Sequence, residues 1–187
     1  MRKCFKMQSN VDASSKYQDS LPVSSDEMLQ KLDDWGIFYT RSDHDPLRTV
    51  EEAKMVQGQF LSSEEGGGHI KNLYLRDKKK CNILLVAEQD RKIDLKTLNT
   101  ILGTSRLSFG SADRLIENLG VRPGAVTPLA MITGTQTGVK LFIDIELKKC
   151  SKIYVHPLVN DRTLGISVKG LLTFFDQVNV TPIWVKL

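Results

Sequence analysis

Three stretches of this 187-residue chain carry side chains able to do chemistry. The first is GGGHIKN, Gly66 to Asn72, where a glycine run that lets other atoms approach closely is followed by Lys71 and Asn72. Lys71 would serve there as a substrate-binding cation, although a lysine so placed, taken alone, is more often a solvent-facing strand lysine. As neighbours on a strand, Lys71 and Asn72 face opposite sides of the sheet unless a bulge intervenes. The second is GVRPGAVTP, Gly120 to Pro128, whose two glycines and two prolines demand a specially shaped backbone. Free N–H groups around Gly124, Ala125, Val126 and Thr127 would bind an anion or a developing oxyanion; the alternative is a tight helix-to-strand connection. The third is VHPLVNDRT, Val155 to Thr163. It places the His156 imidazole at a sheet end, with Asn160 and Thr163 able to form local turn hydrogen bonds.

The usual catalytic templates are absent from the sequence. It has no G-x-S-x-G elbow, P-loop, H-E-x-x-H or paired C-x-x-C. A zinc site from His69, Cys81, Cys150 and His156 would need four scattered residues to converge, so neither metal nor cofactor is expected. Three widely spaced cysteines and no signal-peptide hydrophobic region point to a reducing compartment, read as the cytoplasm. No apolar run approaches the roughly 18–20 residues of a membrane span. The net charge is +4, of which the first 23 residues carry half, so the body allows a nucleic-acid partner without arguing for one. The clusters Lys78-Lys79-Lys80, Arg91-Lys92 and Lys148-Lys149 read as solvated turns.

The elements that must position these residues follow from pattern. Hydrophobic content of 41% and this length fit one domain with a core. Residues 1–20 are polar and aperiodic, read as a disordered extension, with the domain over 21–187. Ser24 to Glu27 opens a helix carrying Met28, Leu29, Leu32 and Trp35, and Gly36 stops it. Ile37 to Thr40 reads as a strand, and Thr49 with Glu52 as a capping box opening a second helix. Ile70 to Leu75 and Ile83 to Ala87 form a hairpin. Asp94 and Ser111 cap two further helices. Leu141 to Ile145, Ile153 to Val155 and Ile183 to Val185 read as strands, and Val168 to Phe175 as a helix after Ser167. Irregular alternation with hairpins predicts an α/β (α+β) domain with a mixed sheet, not a doubly wound one.

Taken together and in order, HDPLRTVEEA (His44 to Ala53), GGGHIKNLYLRDKK, LGTSRLSFGS (Leu102 to Ser111), LGVRPGAVTPLA and HPLVNDRT resemble the YbaK-type prolyl-tRNA editing domain. Within that family the wording is most similar to the free-standing alanyl-prolyl-tRNA deacylases, the ProXp-ala group. The resemblance runs from about Leu21 to the C-terminus. It implies a single domain with a mixed, largely antiparallel sheet surrounded by helices. It also implies a trans-editing hydrolase that removes alanine from mischarged tRNA(Pro) without a cofactor; a monomer is the default expectation and is not read from the sequence. Lys71 would position the acylated 3′ terminus, Asn72 would orient it, and His156 would shape the aminoacyl pocket. The Gly124-Ala125-Val126-Thr127 loop would bring backbone donors to the ester, with Asn160 and Thr163 in support. Thr49 would contribute to substrate recognition, and Arg106 to the tRNA acceptor end. The family is held to rely on the substrate's own 2′-OH and a bound water. Prolyl-tRNA synthetase is the natural associate. Alternatives are a same-fold deacylase for Ser- or Cys-tRNA, and a non-catalytic tRNA- or synthetase-binding module.

Overall fold

The structure is a computed structural model that describes residues 12–47, 49, 52, 54 and 57–187. Local signals set most helix starts. The Ser24 hydroxyl accepts from the Glu27 amide while the Glu27 carboxylate accepts from the Ser24 amide, and this reciprocal pair opens α1 (Ser25–Asp34). Asp94 caps α2 (Leu95–Ile101) and Ser111 caps α3 (Ala112–Leu119), which Gly120 ends in the left-handed conformation. A short α4 (Met131–Gly134) follows a single turn, and Ser167 caps α5 (Val168–Gln177). Thr49 and Glu52 also make their expected reciprocal bonds; the helix expected after them runs largely through residues outside those described.

Eight strands form one mixed sheet: β1 (Tyr39–Asp43), β2 (Gly67–Asp77), β3 (Asn82–Glu88), β4 (Leu107–Phe109), β5 (Lys140–Asp144), β6 (Lys152–Val155), β7 (Arg162–Ser167) and β8 (Ile183–Val185). Their order is β1-β7-β6-β2-β3-β5-β8, with β4 also on β2. The β2/β6, β3/β5 and β5/β8 pairs are parallel and the remaining four are antiparallel. Alternation along β2 and β3 divides the core. Tyr74, Leu84 and Val86 face a large cluster with Met28, Leu32, Ile143 and Phe174, while Leu75, Ile83 and Leu85 meet Leu98 and Phe142 on the other face.

The feature that matters for function is the outer edge of β2. Its inner edge pairs with β3 without interruption from Ile70 to Arg76. The outer edge pairs with β6 only at Gly67–His69 and with β4 only at Leu75–Asp77. Between these contacts the sheet splits, and Ile70 to Leu73 border the gap. The glycine run at the start of β2 is required by packing. A Cβ on Gly67 would stand 2.0 Å from the Leu61 carbonyl oxygen, so only glycine lets the incoming chain lie this close.

Three expectations are corrected. The first strand is shifted to Tyr39–Asp43: Ile37 enters the core while Phe38 stays 92% exposed. β7 and β4 had no legible strand signal. Gly165 sits mid-strand in β7 because a Cβ there would meet the Thr40 hydroxyl at 2.7 Å and the Tyr154 ring at 3.0 Å. Residues 12–20 are not a disordered extension. Ala13 and Ser14 are buried, and residues Ser15–Ser20 form a short helix. The Ser15 amide and hydroxyl donate to the Asp161 carboxylate at 2.9 and 2.6 Å. The buried Arg122 donates to the Tyr17 carbonyl and the Ser20 hydroxyl. Composition hides this because the partners lie about a hundred residues away. The expectation for residues 1–11 lies outside the described residues.

Candidate active site

The split in the sheet is a cleft of about 300 Å³. β2 supplies Lys71 and Asn72, the 120–128 loop supplies Gly124 and Val126, the end of β6 supplies Tyr154 and His156, and Thr49 closes one side. Lys71 and Asn72 do point to opposite faces, as regular pairing with Ala87 and Val86 requires. Both reach the cleft because it opens on the strand's edge rather than on either face.

Each polar side chain is held by a long-range partner. The Lys71 ammonium donates to the Arg91 carbonyl. Arg91 is itself anchored through Nε to the fully buried Asp144 carboxylate at 3.1 Å. Arg91 is therefore not the solvated turn residue expected from the Arg91-Lys92 pair; its backbone positions the site's lysine. Asn72 Nδ2 donates to the Val126 carbonyl at 2.9 Å, which ties the strand to the loop on the far side of the cleft. Among the described residues Lys71 is the one lysine, arginine or acidic side chain in the lining, and it brings a positive charge to the cleft.

The 120–128 loop is shaped as its composition demands. Gly124 has a φ of 92°, a conformation that favours glycine. The Ala125 amide donates to the Arg122 carbonyl, and the Thr127 hydroxyl accepts from the Leu129 amide. Ala125 and Thr127 are fully buried and do not line the cleft. Among the described residues, the Gly124 and Val126 amides meet no acceptor.

His156 forms part of the third side, and His44 packs behind it. His156 Nδ1 donates to the Arg162 carbonyl at 2.8 Å, which leaves Nε2 as the ring's acceptor. His44 packs edge-on against it, with ring centroids 6.3 Å apart. His44 Nδ1 donates to the Asp45 carbonyl, so its Nε2 accepts from the Thr163 hydroxyl at 2.8 Å. Thr163 thus acts through His44, outside the lining. Asn160 is also outside it. Its Nδ2 donates to the Leu47 carbonyl at 2.9 Å and so fixes a residue that does line the cleft. Arg106 is exposed beside β4, six β2 positions from Lys71, or roughly 20 Å. Sequence reasoning missed His44, Tyr154, Arg91 and Asp144. Only His44 had a signal, as the head of the HDPLRTVEEA stretch.

Burial holds the His156 pKa below the ordinary histidine value; the Arg162 hydrogen bond opposes this, and His44 adds to it. The folded chain therefore refuses a proton that the unfolded chain accepts. Its contribution to stability is complete above about pH 6.5 and is lost as pH falls below that value towards the depressed native pKa. The melting temperature is expected to drop between pH 7 and pH 5, and to drop less in His156→Asn. Equal drops in both proteins would refute this account of His156.

Among the described residues no group of three or more histidine, cysteine or acidic side chains is placed to hold a metal, and no helix is long and apolar enough to cross a membrane. The family model for the aminoacyl-tRNA editing domain matches residues 44–174, which includes every lining residue of the cleft. The chain is 38% identical over 145 residues to the prolyl-tRNA editing protein ProX of Acetoanaerobium sticklandii, covering 77% of this chain and 85% of that one. It is 36% identical over 160 residues to the prolyl-tRNA synthetase associated domain-containing protein 1 of Danio rerio, covering 84% and 83%. A crystal structure of a candidate trans-editing enzyme for prolyl tRNA synthetase superposes with a TM-score of 0.62 at 19% identity, over 87% of this chain and 97% of that one, and so shares the fold. With the matched segment spanning most of the chain, the protein belongs to the aminoacyl-tRNA editing domain family.

Proposed function

We propose that this protein is a trans-editing deacylase that hydrolyses the ester of tRNA(Pro) mischarged with alanine. The observation that carries the reading is the convergence of Lys71, Asn72, Gly124, Val126, Thr49 and His156 on one cleft whose lining, among the described residues, holds no carboxylate and no thiol. Such a site is equipped to position an activated ester rather than to attack it. Lys71 holds the anionic 3′ end by a charge-assisted contact, and Asn72 keeps strand and loop in register around it. The Gly124 and Val126 amides face the ester and stabilise the charge that develops on its carbonyl oxygen. A positioned water supplies the attacking oxygen, and the neighbouring ribose 2′-OH passes a proton to the departing 3′-oxygen as the acyl bond breaks. An aminoacyl ester is labile, so fixing its geometry accounts for a large part of the acceleration. The names of the relatives, a prolyl-tRNA editing protein among them, support tRNA(Pro) as the substrate.

Alanine is the amino acid that proline's synthetase discriminates against poorly, because a smaller side chain loses only ~1–3 kcal/mol of pocket contacts. The substrate therefore comes from prolyl-tRNA synthetase, and the protein works in the cytoplasm as a monomer. Purified protein is expected to release alanine from alanyl-tRNA(Pro) and to leave prolyl-tRNA(Pro) intact. Release from seryl- or cysteinyl-tRNA instead would reassign the amino acid. RNA binding without any release would leave a non-catalytic module.

A further inference from the structure

Phe109 is 63% exposed on β4, an uncommon place for a large aromatic ring on a three-residue strand. β4 is pinned firmly. The Gly110 amide donates to the Tyr74 carbonyl at 3.0 Å, and the Tyr74 ring fills the place where a Gly110 Cβ would stand. The strand lies on the edge of β2 that opens as the cleft, directly beyond the gap. Phe109 is paired with Leu75, and alternation places Leu75, Leu73 and Lys71 on one sheet face with it. From Lys71 to Leu75 is about 13 Å along the strand, or roughly four nucleotides at stacked spacing.

Cations continue the same line. Past Phe109, β4 leads back to exposed Arg106, and the β2–β3 turn presents exposed Lys78, Lys79 and Lys80. The Lys78 amide donates to the Ser105 hydroxyl at 3.1 Å, which joins the turn to the Arg106 loop. Between them lies a hollow of about 430 Å³ with Lys79 and Lys140 in its wall. Among the described residues none of these five cations makes an ion pair. The carboxylate of this turn, Asp77, is buried and accepts from the Cys81 amide.

We propose that Phe109 is a stacking platform for an unpaired base of the substrate's 3′ end, and that Lys78, Lys79 and Lys80 follow its phosphates beside Arg106, which the family resemblance already assigns to the acceptor end. An aromatic face beside a row of unopposed cations is how proteins hold single-stranded nucleic acid without reading its sequence. The inference rests on the deacylase reading for its occupant: the 3′ strand must leave the cleft along this edge if its terminal ribose sits beside Lys71.

The test reads binding rather than turnover, so its failure is separable from failure of the deacylase reading. The probes are a synthetic RNA hairpin with an unpaired four-nucleotide 3′ tail and the same hairpin with a blunt end. Phe109→Ala is expected to weaken binding of the tailed hairpin about tenfold and to leave the blunt one unchanged. Phe109→Trp should retain the affinity and lose emission when the tailed hairpin is added. Arg106→Ala should weaken both and lower the salt dependence by about one counterion. A Phe109→Ala variant that melts normally and binds the tailed hairpin as tightly as wild type would overturn the proposal. So would equal losses on both hairpins, or a wild-type dimer that Phe109→Ala dissociates without change in RNA affinity.

Discussion

Replacing Lys71 by methionine is expected to slow alanyl-tRNA(Pro) deacylation by about 10²–10³-fold while the protein stays folded. Methionine keeps an unbranched side chain of similar length and removes only the charge. Two consequences follow in the cleft. The positive charge that Lys71 brings to the lining is gone, so on the proposed reading the 3′-end phosphate loses its charge-assisted partner. The Arg91 carbonyl also loses its donor, while the 89–92 segment keeps the Arg91–Asp144 and Lys54–Asp90 ion pairs and the bond from the Gln89 amide to the His69 carbonyl. Lys71 is half-buried and its lost bond is to a neutral acceptor, so the stability change should be about 1 kcal/mol. Single-turnover deacylation beside a urea titration checks both parts. A variant within tenfold of wild type would show that Lys71 does not hold the substrate. Lys71→Arg separates charge from shape: the guanidinium keeps the charge but is too broad to reproduce one point contact, so recovery should be partial.

The second large effect is expected on stability. Asn160 is 1% exposed, and its side chain donates to the Leu47 carbonyl across 113 residues of sequence. Its own amide donates to the Ala13 carbonyl, and its carbonyl accepts from the Leu47 amide. One residue therefore clamps the N-terminal segment and the edge of the cleft to the loop that follows β6. Asn160→Ala leaves the Leu47 carbonyl unsatisfied in the interior and opens a small cavity, which together cost about 2–3 kcal/mol. For a domain of this size that is a fall of roughly 5–10 °C in melting temperature. Because Leu47 lines the cleft, KM for the aminoacyl-tRNA should also rise, whereas kcat, which in the proposed mechanism depends on Lys71 and the Val126 loop, should change less. A melting temperature within 2 °C of wild type would show that the loop is held by other contacts.

The two predictions differ in how far the sequence foreshadows them. Lys71 and Asn72 stood out before any coordinates, through their place after three glycines and the family wording around them. The glycines did not have the role that made them noticeable. Gly67 admits the Leu61 backbone, and Gly66 and Gly68 lie against Ser151 and Cys150, so what they accommodate is the chain itself. Asn160 read as a turn former, and its partners, Leu47 and Ala13, lie far off in sequence. Of the Gly124–Thr127 loop, composition marked the right segment, but only Gly124 and Val126 reach the cleft while Ala125 and Thr127 turn inward.

What the sequence determined by itself is local. Ser24, Asp94, Ser111 and Ser167 start helices because a side-chain oxygen needs only an amide two or three residues ahead, and Gly120 ends one because it alone tolerates the left-handed turn cheaply. The β2–β3 hairpin is local in the same sense. Tertiary structure decided the rest: that β6 and β4 leave β2 at different points and open a gap, and that Asp144 lies behind Arg91. It also decided that His44 meets His156 and that residues 12–20 lock onto Asp161. These contacts join residues from about 30 to nearly 150 positions apart. No local pattern encodes them, because they depend on which strand edges pair and where that pairing stops.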